Sequence, residues 1–186
     1  MAANQIPALV VCALMAGGPL GAAPAPPDSA LESIGDAMDQ SRPAADALKN
    51  LEAIDLNGRE WTAAEMRGRI VLLDFWATWC APCLAELPRL KALRARHSRE
   101  HFEILGISLD VKSRQSFVSW LNRNRIDWPQ VHERAGYSAG VARLFGVDRL
   151  PRTVLVGRDG TIAAVDLRGD QLAARIDELV GAEGGR

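Results

Sequence analysis

Ile70-Val71-Leu72-Leu73-Asp74-Phe75-Trp76-Ala77-Thr78-Trp79-Cys80-Ala81-Pro82-Cys83 is the stretch that decides the fold. From Ile70 to Ala77 it is a continuous apolar run broken only by Asp74, the length and composition of a strand buried on both faces. Such a strand belongs in the middle of a sheet. The segment after it, to about Arg99, sets Leu84, Leu87, Leu90 and Leu93 against Arg89, Lys91, Arg94, Arg96 and Arg99. That is a broad apolar stripe with a basic, solvated outer face, and it predicts a helix kinked at Pro88. The cysteine pair therefore stands at the junction of a buried strand and a helix.

A helix N-terminus favours an anion, because its first N–H groups lack partners and its dipole points there. A thiolate at Cys80 is stabilised by that field, and its pKa is expected to fall below the free value of about 8.5. Two intervening residues put Cys83 inside the first helical turn, close enough to close a disulfide and to attack a mixed disulfide formed at Cys80. Other uses of the spacing fit less well. A structural zinc site needs four ligands and no second Cys pair exists; haem attachment needs His after the second Cys, where Leu84 stands.

Outward from this centre, Phe102 to Leu109 is a second apolar strand, giving a right-handed βαβ unit with parallel strands. Ser113 caps a helix carrying Phe117, Val118 and Leu121, and Ala139 to Phe145 is a short helix stopped by Gly146. Thr153 to Val156 turns at Asp159-Gly160 into Thr161 to Val165 as an antiparallel hairpin. Asp170 starts a last helix with Leu172, Ile176, Leu179 and Val180 on one side, ended by Gly181. On the N-terminal side, Leu51 to Arg69 reads as a two-stranded hairpin around Leu56-Asn57-Gly58-Arg59.

The run Phe75 to Cys83, followed by Glu86-Leu87-Pro88, resembles the thioredoxin superfamily and specifically its exported TlpA-like and ResA-like branch. The resemblance extends from Leu51 to Val180 and includes Gly68-Arg69-Ile70-Val71 and Arg149-Leu150-Pro151-Arg152-Thr153. It implies an α/β thioredoxin fold, a central mixed sheet flanked by helices with an N-terminal β-hairpin extension. It implies catalysis of dithiol/disulfide exchange without a bound cofactor, by attack, mixed disulfide and resolution, with Cys80 as nucleophile and Cys83 as resolving thiol. Pro151 matches the family's cis-proline, which faces the cysteines and, with Leu150 and Trp79, docks substrate. Asp74, six residues before Cys80, matches a buried acid. Unpaired in an apolar strand it should have a raised pKa, and it is expected to take the Cys83 proton. Glu86, six residues after Cys80, matches an acid with which the ResA-like branch tunes its cysteines. Many ResA-like proteins are neutral at the Asp74 position, so this chain departs from them in carrying both acids. Trp76 belongs to the core, and ordinary packing accounts for Trp61, Trp120 and Trp128.

Whole-chain properties bound the alternatives. The 186 residues suit one domain with an appended segment, and 48% apolar with 24% charged residues excludes a mainly disordered chain. With 22 Lys plus Arg against 23 Asp plus Glu, the net charge of -1 supplies no field for nucleic acid. Residues 1–25, with an uncharged run Ile6 to Ala25, are expected to be a signal peptide or a membrane anchor. Cys12 lies within them, so their removal leaves Cys80 and Cys83 as the whole cysteine inventory. Residues 26–50 read as a linker, in part helical, of too little apolar surface to order itself independently, 51–181 as the thioredoxin-like domain and 182–186 as a tail.

The expected protein is an exported monomeric protein-disulfide reductase of the periplasm or cell envelope. Its substrates would be disulfide-containing proteins such as apocytochromes c, and a membrane thiol donor would re-reduce it. Peroxide reduction on the same fold is disfavoured, since peroxiredoxins lead up to a lone reactive Cys with Pro and Thr/Ser where this chain has Trp79 and a pair. A copper-binding metallochaperone and a cytosolic thioredoxin are the remaining alternatives. His97, His101 and His132 lack metal-ligand spacing.

Overall fold

A computed structural model describes residues 43–182. The expected signal or anchor segment, most of the expected linker and nearly all of the tail lie outside the described residues. Residues 43–49 are helical (α1), followed by β1 (Glu52–Ile54), β2 (Glu60–Thr62) and a single turn of helix, α2 (Ala63–Met66). Then come β3 (Ile70–Trp76), α3 (Ala81–Arg96), β4 (Phe102–Ser108), α4 (Arg114–Arg123), β5 (Gln130–His132), α5 (Gly140–Leu144), β6 (Arg152–Val156), β7 (Ile162–Val165) and α6 (Gly169–Gly181).

Five strands form one mixed sheet in the order β5-β4-β3-β6-β7. β3 runs parallel to β4, and β4 parallel to β5, while β6 is antiparallel to both β3 and β7. All seven residues of β3 are buried, as a central strand with both faces covered requires. The βαβ unit and the C-terminal hairpin are where the hydrophobic pattern puts them. The N-terminal hairpin is a separate two-stranded sheet pairing Ala53 with Trp61. Its turn is held by Asp55, whose Oδ1 accepts from the backbone N–H groups of Asn57 (2.8 Å) and Arg59 (3.0 Å) while Oδ2 accepts from Trp61 Nε1 (3.0 Å). Gly58 at φ 82° supplies the left-handed step. The architecture is the one the resemblance implies, a central mixed sheet flanked by helices with a hairpin at its N-terminal side.

Three features differ from the sequence-based expectation. Part of the stretch read as linker is packed: Ala44, Ala47 and Leu48 of α1 are buried in the core. Their i, i+3, i+4 spacing is a helical stripe that small side chains disguise. The outer face of α3 is not simply solvated. Arg94 is buried and its Nε lies 3.2 Å from Glu103 Oε1 of β4, because it follows Leu90 and Leu93 onto the inner face. Arg89 pairs with Asp170 (3.0 Å) and Arg96 with Asp177 (2.9 Å), tying α3 to α6. Finally, β5 is a strand without a strand-like sequence pattern, three residues whose Gln130 and Val131 are buried.

Candidate active site

β3 ends at Trp76, the chain turns through Ala77-Thr78-Trp79, and Cys80 caps α3 with its Sγ accepting from the Cys83 backbone N–H at 3.3 Å. Pro82 sits in the first turn, where a missing N–H leaves no hydrogen bond unmade. Cys80 and Cys83 are joined as a disulfide with Cα atoms 5.3 Å apart. Both are almost covered, Cys80 at 5% and Cys83 at 4% exposure, so a partner reaches sulfur through a narrow window.

Behind the disulfide lies a small cavity of about 10 Å³, lined by Asp74, Cys83, Glu86, Pro151, Thr153 and Arg168 among others. That is room for about one water. Asp74 is buried, and its carboxyl is pushed up to about 7, first by burial and then by Glu86, against the opposing charge of Arg168. A carboxyl at that value exchanges protons at neutral pH, which suits it to take one from a neighbouring thiol. Glu86 is partly buried; its Oε2 accepts from Gly169 N–H at 3.2 Å, fastening α3 to the start of α6. The Leu150–Pro151 peptide is cis, and Arg168 donates to the Pro151 carbonyl. The structure thus gathers Cys83, Asp74, Glu86 and Pro151 about one cavity. Trp79 stands apart on the surface at 57% exposure, and Trp76 is core, donating its Nε1 to Gln130 Oε1 at 3.0 Å.

Two residues that sequence reasoning missed support this site. Arg168 follows Pro151 by 17 residues with no motif around it, and only the packing of α6 brings it to the cavity. Asp110, fully buried just past β4, accepts from Thr78 N–H (2.9 Å), Thr78 Oγ1 (2.6 Å) and Ser108 Oγ (2.9 Å), with Lys112 Nζ 3.3 Å away. It pins the loop that delivers Trp79 and Cys80. A polar signal existed for Asp110: it stands at the carboxyl end of a parallel strand beside the central one, where α/β sheets place their sites. Among the described residues, no three His, Cys, Asp or Glu side chains are grouped to hold a metal.

The AhpC/TSA family model matches residues 44–165. The thiol-disulfide oxidoreductase ResA of Bacillus thuringiensis subsp. konkukian is 25% identical over 131 residues, 70% of this chain and 73% of the relative. ResA of Geobacillus thermodenitrificans is 31% identical over 111 residues, covering 60% of this chain and 62% of that protein. Among solved structures, the thioredoxin domain of a thiol-disulfide oxidoreductase from Bacteroides vulgatus superposes with a TM-score of 0.61 at 28% identity, over 70% of this chain and 92% of that one.

Proposed function

The chain belongs to the AhpC/TSA family, as a TlpA/ResA-like member of the thioredoxin superfamily, and on that premise we propose how it works as a thiol-disulfide oxidoreductase. It reduces disulfides of cell-envelope proteins, including those that must be opened during cytochrome c maturation. The observation that carries this reading is the Cys80–Cys83 disulfide at the head of α3, backed by a buried Asp74 poised near neutrality.

In the reduced enzyme the Cys80 thiolate attacks one sulfur of a substrate disulfide. That S–S bond breaks, one substrate thiolate leaves, and a mixed disulfide remains at Cys80. Cys83 gives its proton to Asp74, and its thiolate attacks Cys80 Sγ; the Cys80–substrate S–S bond breaks and the second substrate sulfur leaves as a thiolate, which takes up the proton that Asp74 then releases. Two electrons have passed to the substrate, and the enzyme is left with the Cys80–Cys83 disulfide described here. Pro151 and Leu150 offer the docking edge beside the sulfurs, Trp79 an apolar contact, and Glu86 adjusts the acid behind them. A membrane thiol donor restores the dithiol, and residues 1–25 serve export or anchoring of a monomer whose domain lies outside the cytoplasm.

Equilibrating the protein with redox buffers, read by Trp79 fluorescence and thiol alkylation, tests the direction. A potential near or below about −250 mV is expected for a reductase, and one above about −150 mV overturns it in favour of an oxidase or isomerase. Cys83→Ser is expected to accumulate mixed disulfides with envelope proteins; capture confined to cytosolic proteins overturns the assigned compartment.

A further inference from the structure

An open cleft of about 570 Å³ lies between α3 and the end of α4, lined by Lys91, Arg94, Asn122, Arg125 and Asp127, with Ala95 and Ile126 as its apolar part. Arg94 stands 14 residues after Cys80 on the same helix, roughly 20 Å along its axis at about 1.5 Å per residue. The cleft is therefore separate from the redox site. Three cations and one carboxylate share it, and two of these charges are answered locally. Arg94, buried, has Glu103 Oε1 3.2 Å from its Nε, and Asp127 has Arg99 3.0 Å from its Oδ2. Lys91 and Arg125 have no carboxylate partner among the described residues.

Arg125 follows Asn124, the C-cap of α4, and takes φ 51°, the left-handed step. Its N–H donates to the Asn122 carbonyl (3.1 Å) and that of Ile126 to the Leu121 carbonyl (3.0 Å), the pairing that closes a helix around a left-handed residue. The end of α5 repeats this pairing, Gly146 to Arg143 (3.1 Å) and Val147 to Ala142 (2.9 Å), and there the left-handed residue is glycine. Glycine takes that φ without a Cβ clash, so closing the helix does not by itself select arginine. The Arg125 side chain is exposed, lines the cleft and binds no protein group among the described residues. Lys91 Nζ donates to the Asn124 carbonyl at 2.5 Å, the carbonyl of the peptide that leads into Arg125. That uses one of its three N–H donors and fixes the ammonium against the backbone from which Arg125 projects.

We infer that the cleft between α3 and α4 is a binding site for a phosphate monoester, held by Lys91 and Arg125. Two unanswered cations call for a dianion. Because Lys91 is anchored on the peptide that carries Arg125, one compact doubly charged group with several acceptor oxygens suits them better than a molecule with a carboxylate at each end. The Arg94 guanidinium stands behind them with donors to spare, its one hydrogen bond running from Nη1 to the His97 carbonyl at 3.4 Å. The volume exceeds that of a bare phosphate, and Ala95 and Ile126 give the organic part of the ester an apolar contact. A soluble phosphorylated compound and the headgroup of an anionic lipid both present this chemistry. The site is independent of the thiol chemistry at Cys80 and Cys83.

Calorimetric titration of the full chain with glycerol 3-phosphate at neutral pH is expected to give a Kd of about 1 mM or tighter. Arg125→Gly is expected to weaken it by about tenfold or more. Glycine suits the left-handed step, so the urea midpoint of this variant is expected to stay level or rise, and lost binding is then not lost fold. Flotation with phosphatidylcholine vesicles containing phosphatidic acid distinguishes the sources, since both proteins carry residues 1–25 and differ only at the cleft. Retention of wild type beyond that of Arg125→Gly assigns the site to a lipid headgroup. Equal retention, with glycerol 3-phosphate bound by wild type alone, assigns it to a soluble ester. No binding of glycerol 3-phosphate together with equal flotation overturns the inference. So does a succinate Kd equal to that for glycerol 3-phosphate, which reduces the cleft to a patch of unspecific charge, and so does an affinity that Arg125→Gly leaves unchanged.

Discussion

Asp74 is raised from 3.8 to about 7, so the folded protein holds a proton between those values that the unfolded chain has released. Stability contributed by this group therefore falls as pH rises from about 4 to about 7 and is flat above, a loss of roughly 3–4 kcal/mol. Urea unfolding of the oxidised protein at pH 4.5 and pH 8 is expected to show that decline in wild type and a flatter profile in Asp74→Asn. The same substitution is expected to slow resolution of a trapped mixed disulfide by about 10²-fold, read by rapid alkylation. Glu86 raises Asp74 and Arg168 lowers it. Arg168→Met should thus move the Asp74 inflection up and Glu86→Gln should move it down, with the double variant near wild type, all read by carboxyl NMR titration. Two further cations stand near this acid pair: Arg89 lies 3.7 Å from Glu86 Oε2 as well as 3.0 Å from Asp170, and Arg152 pairs with Asp166 at 2.6 Å. Asp74, Cys80 and Cys83 were legible in sequence because they lie in one contiguous run whose strand-to-helix change the pattern announces. Arg168 was not, because its neighbours are set by the docking of α6.

At the scale of elements, the instructive case is the contact of α3 with β4. Apolar periodicity found both elements, yet it assigned Arg94 to solvent with the other cations of the helix. The acid that draws it inward, Glu103, is itself buried on the neighbouring strand, and a charge pair across elements has no signature in either one alone. Removing one partner strands a buried charge. Glu103→Ala is expected to destabilise the protein by about 3–5 kcal/mol in urea unfolding. Replacing both, as Arg94→Met with Glu103→Leu, should recover most of that loss, because two apolar side chains fill the space without desolvating charge. β5 was missed for a similar reason: three residues are too few to display alternation, and their strand character comes from pairing Gly106 to Ser108 of β4.

For the molecule as a whole, the domain begins earlier than composition suggested. The buried Ala44, Ala47 and Leu48 belong to the same core as Leu51 and Trp61. A chain starting at residue 51 is expected to lose about 2–4 kcal/mol against one starting at residue 40, measured by urea midpoint. It should keep the redox potential of the cysteines, since α1 contributes no residue to the cavity around Asp74. The overall topology was recoverable because each strand and helix had its own signal and the βαβ rule left few ways to join them. What binds the ends of the chain to its middle was not recoverable.

The seam between α3 and α6 also bears on how the protein is made. Arg89 reaches Asp170, Glu86 reaches Gly169 and His97 reaches Asp177, so contacts 80 or more residues apart dock α6 on α3, and Leu172 of α6 lines the cavity behind Cys83. A chain emerging N-terminus first can fold β3 and α3, and expose both cysteines, well before α6 emerges. Through that interval Asp74 lacks the cover of α6, and the burial that raises its carboxyl is incomplete. The cysteines are thus present from mid-synthesis, but the acid that serves them is tuned only when the last helix docks, which makes redox competence a late event in biogenesis.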